Sequence, residues 1–136
     1  MPLTVADRLE ILELLGRYAH AIDSGDGEAY ADCFTDDGVI ELRRAGLHVQ
    51  GREALIEFAR GDHARSGAAR HMTNSPIIEG DGDEATMRVY LLRLYQDRSR
   101  DGERGIGPVG LYHDTLRRVG GRWRFAYREV FVDPQR

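Results

Sequence analysis

The stretch TVADRLEILELLGRYAHAIDSGDG, residues 4–27, contains a complete signal for one long helix and for its end. Thr4 followed by Asp7 has the form of a capping box, in which two residues satisfy each other's free backbone N–H groups. Apolar side chains then recur at helical spacing as far as Ile22. Gly25 supplies the left-handed backbone that closes a helix, and Asp26 is suited to cap another. We therefore predict a first helix ending near residues 24–27 and a short second helix over residues 28–33.

The next part of the chain mixes strand and helix signals. Residues 38–50 contain β-branched side chains on either side of Ala45-Gly46, which predicts two short strands joined by a turn. Residues 52–60 place their apolar side chains on one helical face. We therefore predict a third helix there.

From residue 70 onward the sequence is typical of strands joined by tight turns. The predicted strands are residues 71–79, 84–97, 107–119 and 122–132. Residues 80–83 and Gly120-Gly121 favour hairpin turns, because positive φ costs glycine little, and residues 98–105 predict a charged connection. Helices followed by successive hairpins predict an α+β fold: a cone-shaped α+β barrel with three N-terminal helices packed on a strongly curved, mainly antiparallel sheet. The apolar space between helices and sheet would hold a ligand.

Composition excludes several classes of protein. At 136 residues, 41% of them hydrophobic, the chain predicts a single domain over residues 1–136. No run approaches the roughly 18 apolar residues of a membrane-spanning helix, and no secretory signal is visible, so we expect a cytoplasmic protein that makes no membrane contact. The 19 basic and 23 acidic residues give a net charge of −4 and are scattered, which argues against nucleic-acid binding. Cys33 is the single cysteine, so we expect it to be buried and to form no intrachain disulfide.

Asp23 and His71 are the candidates for catalytic chemistry. A carboxylate at the predicted end of the first helix, where Asp23 lies, is disfavoured by the helix dipole and by unpaired carbonyl groups; capping the second helix is its structural alternative. His71 begins a predicted strand. On a concave face it would be a titratable ring in an apolar pocket, whereas on a solvent face it would be ordinary. Together the two would form a general base, because a carboxylate fixes the imidazole tautomer and stabilises the imidazolium.

The sequence predicts neither a metal nor a nucleotide cofactor. His20, His48, His63 and His113 form no H-x-x-x-H or H-E-x-x-H pair with each other or with His71. The glycine-containing segment at residues 105–108 precedes a predicted strand, whereas phosphate binding needs the N-terminus of a helix.

Five short stretches together resemble a known family. They are YAHAIDSGD at residues 18–26, FTDD at 34–37, GREA at 51–54, RHMTN at 70–74 and GGRWRF at 120–125. In this order and spacing they resemble the SnoaL-like branch of the nuclear-transport-factor-2-like superfamily over nearly the whole chain. The resemblance implies a cone-shaped α+β barrel that is commonly dimeric.

The resemblance also implies roles for particular residues. Scytalone dehydratase and hexachlorocyclohexane dehydrochlorinase, enzymes of that superfamily, carry a catalytic aspartate at the end of the first helix and a histidine on the third strand. These positions correspond to Asp23 and His71, and in such enzymes the histidine removes a proton while water or halide leaves. The strand that supplies a second pocket histidine in scytalone dehydratase reads MRVYL here, at residues 87–91, without a histidine.

Three further residues are candidates for substrate binding. On the predicted fifth strand, Tyr112 and Asp114 alternate with His113, and either set could face inward; the family register favours Tyr112 and Asp114. Tyr112 would donate to a substrate oxygen, or else place its hydroxyl at the rim. Asp114 would act as a second acid or pair with an arginine. Tyr18, on the same helix as Asp23, is a comparable candidate.

These expectations favour a cofactor-independent lyase, a dehydratase acting on a small apolar cyclic or aromatic substrate. An isomerase or a polyketide-type cyclase would use the same base. A dimeric, non-catalytic small-ligand-binding protein would have the pocket without turnover. Arg98, Arg100 and Arg104 predict a solvated loop, or alternatively a pocket rim that attracts an acidic substrate.

Overall fold

The computed structural model describes residues 1–95 and 105–134. Its helices are α1 (Val5–Ser24), α2 (Gly27–Asp32) and α3 (Arg52–Ser66). Its strands are β1 (Phe34–Leu42), β2 (Leu47–Gln50), β3 (Ala69–Asp81), β4 (Glu84–Tyr95), β5 (Gly105–Val119) and β6 (Arg122–Val132), with a 3₁₀ helix at Arg43–Ala45. The predicted α+β class is confirmed. Arg98, Arg100 and Arg104, and most of the predicted connection, lie outside the described residues.

The six strands form one curved sheet in the order β2-β1-β6-β5-β4-β3. The β1–β6 pair is parallel and every other pair is antiparallel. Four of the five pairs contain a register shift, and such bulges bend a strand and increase its twist. In β3 the shift falls between Asn74 and Ile77, where Ser75 has a φ of 59°. The sheet therefore curls around the helices instead of lying flat beneath them.

Two elements extend at one end by four residues or more beyond their predicted bounds. The predicted third helix stops at residue 60, where its apolar pattern ends, whereas α3 continues through charged residues to Ser66. The predicted first strand begins near residue 38, whereas β1 begins at Phe34, which pairs with Phe125 of β6. The polar residues that follow Phe34 do not have the pattern of a strand, so the sequence does not indicate the beginning of β1.

The core fills the concave side of the sheet. α1 contributes a stripe of buried side chains that includes Ile11, Leu15 and Tyr18, which packs with Phe34 and Phe125 from the sheet. The rings of Tyr18 and Phe125 meet edge to face, with centroids 5.8 Å apart. None of the helices in the described ranges is long and apolar enough to cross a membrane.

The predicted capping box is present at the start of α1 and also joins the helix to the sheet. The Asp7 N–H donates to Thr4 Oγ1 at 3.0 Å and the Thr4 N–H donates to Asp7 Oδ2 at 2.9 Å. Asp7 Oδ1 accepts from Trp123 Nε1 and from Arg118 Nη1, each at 3.0 Å. The Trp123 bond, the Thr4 N–H and the nearby Arg118 charge lower the pKa of Asp7 to about 2.

These contacts predict an acid-dependent loss of stability that depends on Asp7. Because the pKa of Asp7 is lowered to about 2 on folding, its charged form favours the folded state above pH ~4 and loses this advantage as the pH falls towards 2. We expect wild type to be more stable than Asp7→Asn at pH 6, with the gap narrowing between pH ~4 and 2. Urea unfolding at several pH values measures the gap, and a gap that stays constant down to pH 2 would contradict the assignment.

Candidate functional site

A cavity of about 310 Å³ lies between α1, α3 and the concave face of the sheet. Most of its wall is apolar and includes Ile22, Ile40 and Leu91. The polar side chains that line it are Tyr18, Asp62, Arg65, His71, Arg93 and Tyr112. A largely apolar cavity with a few convergent polar groups is the usual form of a small-molecule site.

Asp23 and His71 meet at the edge of this cavity. His71 Nδ1 lies 2.6 Å from Asp23 Oδ1. The backbone N–H of His71 also donates to the same carboxylate, at 3.1 Å to Oδ2 and 3.3 Å to Oδ1. The side chains are largely buried, with His71 7% and Asp23 9% exposed. One carboxylate therefore holds His71 through both its imidazole ring and its backbone N–H.

The local structure at the end of α1 leaves the Asp23 carboxylate available for this contact. Ser24 Oγ donates to the carbonyl of His20 at 2.8 Å, and Gly25 closes the helix in the left-handed conformation. Asp26 caps α2 by accepting from the Ala29 N–H at 3.1 Å. The capping role considered for Asp23 is thus filled by its neighbours. His63 Nδ1 of α3 lies 3.0 Å from the Asp23 carbonyl oxygen, which fixes the backbone of this residue.

The arrangement determines which ring nitrogen can accept a proton. A carboxylate can only accept hydrogen bonds, so Nδ1 of a neutral His71 carries the hydrogen and Nε2 keeps its lone pair. Within the described ranges, Nε2 has no hydrogen-bond partner, and His71 lines the cavity. A neutral His71 can therefore accept a proton at Nε2, and the Asp23 carboxylate is placed to stabilise an imidazolium.

Tyr18 and Tyr112 form a polar part of the cavity wall. Both are 2% exposed, and the Tyr30 hydroxyl donates to the Tyr18 hydroxyl at 3.0 Å. Burial raises the pKa of Tyr18 and of Tyr112 well above its usual value. Both hydroxyls therefore stay protonated at neutral pH and can donate to an oxygen in the cavity.

Asp114 faces inward but is not one of the residues that line the cavity. It accepts from Arg128 Nε at 2.7 Å and from Arg128 Nη2 at 2.8 Å, and both side chains are fully buried. Burial raises the pKa of Asp114, and the Arg128 guanidinium acts in the opposite direction. Burial also opposes the charge of Arg128, but Asp114 outweighs it and raises the pKa of Arg128. Of the two roles expected for Asp114, the structure shows the pairing with an arginine.

Sequence reasoning missed Arg93 and Asp62. Arg93 of β4 is the direct cross-strand partner of His71 and lies two residues beyond the segment compared with the family's second histidine. Its Nη2 donates to Asp62 Oδ2 at 3.0 Å and also contacts Ser66 Oγ. Asp62 and Ser66 lie in the part of α3 beyond the predicted helix. The hairpin turn at residues 80–83 was the one available signal, but counting from it places Leu94 opposite His71.

No three metal-binding side chains converge in the part of the chain that the structure describes. Cys33 is buried, as expected, and burial raises the pKa of its thiol to about 11.

A family model described as a SnoaL-like domain matches residues 3–129. The chain belongs to the SnoaL-like family. The predicted resemblance is therefore confirmed, and the family includes cyclases and dehydratases.

Solved structures share the fold of this SnoaL-like chain. A variant of Rv3472, a protein of unknown function from Mycobacterium tuberculosis, is 36% identical over 96% of this chain and 73% of its own, with a TM-score of 0.84. A protein of unknown function with a cystatin-like fold from Nostoc punctiforme is 31% identical over 99% and 97%, with a TM-score of 0.83. A candidate scytalone dehydratase from Novosphingobium aromaticivorans is 23% identical over 96% and 86%, with a TM-score of 0.81. Among curated proteins, none matches this chain.

The geometry of the pair predicts the tautomer of His71. In wild type, at a pH where the ring is neutral, we expect the hydrogen on Nδ1, because its bond to a carboxylate is charge-assisted. Asp23→Asn weakens that preference and should increase the Nε2–H form, which ¹⁵N NMR of the imidazole measures. Asp26→Asn removes a nearby carboxylate that caps α2 and should leave the ring unchanged. A wild-type ring protonated on Nε2 would contradict the arrangement.

Proposed function

We propose that this SnoaL-like protein is a cofactor-independent dehydratase that uses His71 as its general base. The observation that carries the proposal is the His71 ring, fixed by Asp23 at 2.6 Å, whose Nε2 is left to accept a proton in an apolar cavity. A base needs to lie within hydrogen-bond reach of the proton it removes, and His71 lines the wall of the cavity in which we place the substrate.

The elimination would use only side chains of this protein and no cofactor. His71 Nε2 takes a proton from a carbon of the substrate, and the electron pair of that C–H bond forms the new carbon–carbon double bond. The neighbouring C–O bond breaks, and the departing oxygen takes the proton back from the imidazolium to leave as water. Asp23 offsets the charge of the imidazolium, and the hydroxyls of Tyr18 and Tyr112 hold a substrate oxygen.

The cavity supports a small and largely apolar substrate. Its volume of about 310 Å³ is at the lower end of the range for ligand pockets. Apolar side chains from helices and sheet surround the space, which suits a single ring or a compact fused ring. Burial of that ring would supply the binding energy, while the few polar groups fix its orientation.

Two other functions use the same cavity. An isomerase would return the proton to another carbon, and a polyketide-type cyclase would use the carbanion to close a ring. The SnoaL-like family includes cyclases, which favours the cyclase as the second candidate function. Product analysis in D₂O separates these reactions, because isomerisation places deuterium on the product whereas elimination releases water. A small-ligand-binding protein would show binding without any turnover.

Replacing His71 tests the base directly. In a reaction of 3-hydroxycyclohexanone to 2-cyclohexenone, followed by the absorbance of the conjugated product, we expect His71→Gln to be slower than wild type by about 10²–10⁴-fold, the usual loss for a general base. His113→Gln is the matched control, since His113 also lies on a strand but is exposed on the outer face. Equal rates for wild type and His71→Gln would contradict the mechanism.

We also propose that the protein forms a homodimer through the convex face of the sheet. Pairing across β3–β6 places Met72, Leu92 and Val109 in one row and Tyr90, Leu111 and Phe131 in the next. Several of these side chains are exposed, Tyr90 by 58%. A contiguous apolar patch on the side opposite the cavity is typical of an interface between subunits.

A charge in this patch should separate the subunits. We expect wild type to sediment as a dimer at micromolar concentration and Tyr90→Lys as a monomer, because a lysine at the centre of the face would lose its hydration. Leu9→Lys introduces the same charge at an exposed leucine of α1 and should leave the dimer intact. Sedimentation velocity measures the mass, and a monomeric wild type would contradict the proposal.

A further inference from the structure

Arg93 and His71 project side by side into the cavity. They are direct partners in the antiparallel β3–β4 register, and both line the cavity wall. Side chains directly opposite each other on such a pair share a face, with Cβ atoms about 4.5–5.5 Å apart. The two side chains therefore start from neighbouring positions on the concave face, and the Arg93 guanidinium extends towards α3.

Helix α3 holds the guanidinium by a single nitrogen. Nη2 makes the bonds to both oxygens of Asp62, at 3.0 and 3.1 Å, and the bond to Ser66 Oγ. Arg93 is 15% and Asp62 14% exposed. Nε of Arg93 is buried and has no hydrogen-bond partner among the residues described. Because all of these contacts are made by Nη2 and Nε is buried, the N–H groups of Nη1 are the ones available to a bound molecule.

We propose that Arg93 is a further catalytic residue, which binds the carbonyl oxygen of the substrate through these N–H groups. The proposal rests on the dehydratase function and narrows its substrate to cyclic carbonyl compounds with a hydroxyl group β to the carbonyl. His71 Nε2 takes the α-proton, the C–H pair forms a carbon–carbon double bond, and the carbonyl π pair moves onto the oxygen beside Arg93. An electron pair on the enolate oxygen then re-forms the carbonyl, and the pair of the enolate double bond forms the new double bond between the α and β carbons. The β C–O bond breaks with its pair on oxygen, and the departing hydroxide takes the proton from the imidazolium and leaves as water.

The charge balance around Arg93 suits a carbonyl oxygen that becomes negatively charged during the reaction. Asp62 already offsets the positive charge of the guanidinium in the resting site. A neutral carbonyl enters an apolar cavity at little cost in desolvation, and its negative charge develops only as the proton leaves. Donors fixed in place for a charge that develops in the transition state lower the barrier without binding the ground state too tightly.

A pair of dyes tests whether the cavity stabilises a ring-borne oxyanion. We would measure the dissociation constants of 4-nitrophenolate and of the neutral 4-nitroanisole, which has the same ring without the charge. Wild type should prefer the phenolate by about 10- to 100-fold, the range expected for hydrogen bonds to a charged group. Arg93→Gln combined with Asp62→Asn should lose this preference, and the double change avoids leaving a lone carboxylate beside the ligand. Arg88→Met is the matched control, because Arg88 lies on the same strand but is exposed.

A second readout uses only the wild-type protein and does not depend on the folding of a variant. If Arg93 binds the oxyanion, binding should shift the ionisation of 4-nitrophenol towards the phenolate, as its absorbance shows. A shift towards the neutral phenol, equal affinity for the two dyes, or a preference that persists in the double variant would each overturn the proposal. The two dissociation constants do not depend on proton transfer to His71, so His71→Gln should keep the phenolate preference. A failure of the dehydratase function alone is therefore distinguishable from a failure of the Arg93 assignment.

Discussion

The bond between His71 Nδ1 and Asp23 Oδ1, at 2.6 Å, joins the end of α1 to the start of β3, and the chemistry proposed for the cavity depends on it. Without a carboxylate at this point, contacts with solvent would determine the tautomer and the rotamer of the imidazole. With it, one nitrogen is occupied and the other is available. The carboxylate is free for this role only because Ser24, Gly25 and Asp26 satisfy the backbone groups at the end of α1 and the beginning of α2.

A second constraint lies beneath the cavity. Arg128 and Asp114 are fully buried as a two-bond ion pair, and the Arg128 guanidinium carbon lies 3.7 Å from the centroid of the Tyr112 ring and 4.4 Å from that of Tyr18. Removing one member would leave an uncompensated buried charge, at a cost of about 3–5 kcal/mol. The pair therefore fixes the positions of both tyrosine rings, and through them the donors offered to a substrate.

Local signals in the sequence predicted the parts of the fold that depend on neighbouring residues. The capping box at Thr4 and the glycine at residue 25 are examples, since both act within one turn of helix. The position of His71 beside Asp23 required the family resemblance, because 48 residues separate them.

Arg93 was not predicted, for a physical reason. Counting from the hairpin turn places Leu94 opposite His71, and only the bulge near Ser75 shifts the partner by one residue to Arg93. Asp62 was missed because α3 continues beyond the end of its apolar pattern. The contacts that stabilise this last part of the helix cannot be predicted from neighbouring residues.

The most direct test of the account is a crystal structure of the protein soaked with cyclohexanone, a small ring that carries a carbonyl and has acidic α-hydrogens. We expect the ring in the cavity with an α-carbon about 3–3.5 Å from His71 Nε2, the separation of a reactive complex, and with its oxygen towards Arg93. A His71 ring rotated away from Asp23 with Nε2 in bulk solvent, or a ketone bound outside the cavity, would contradict it.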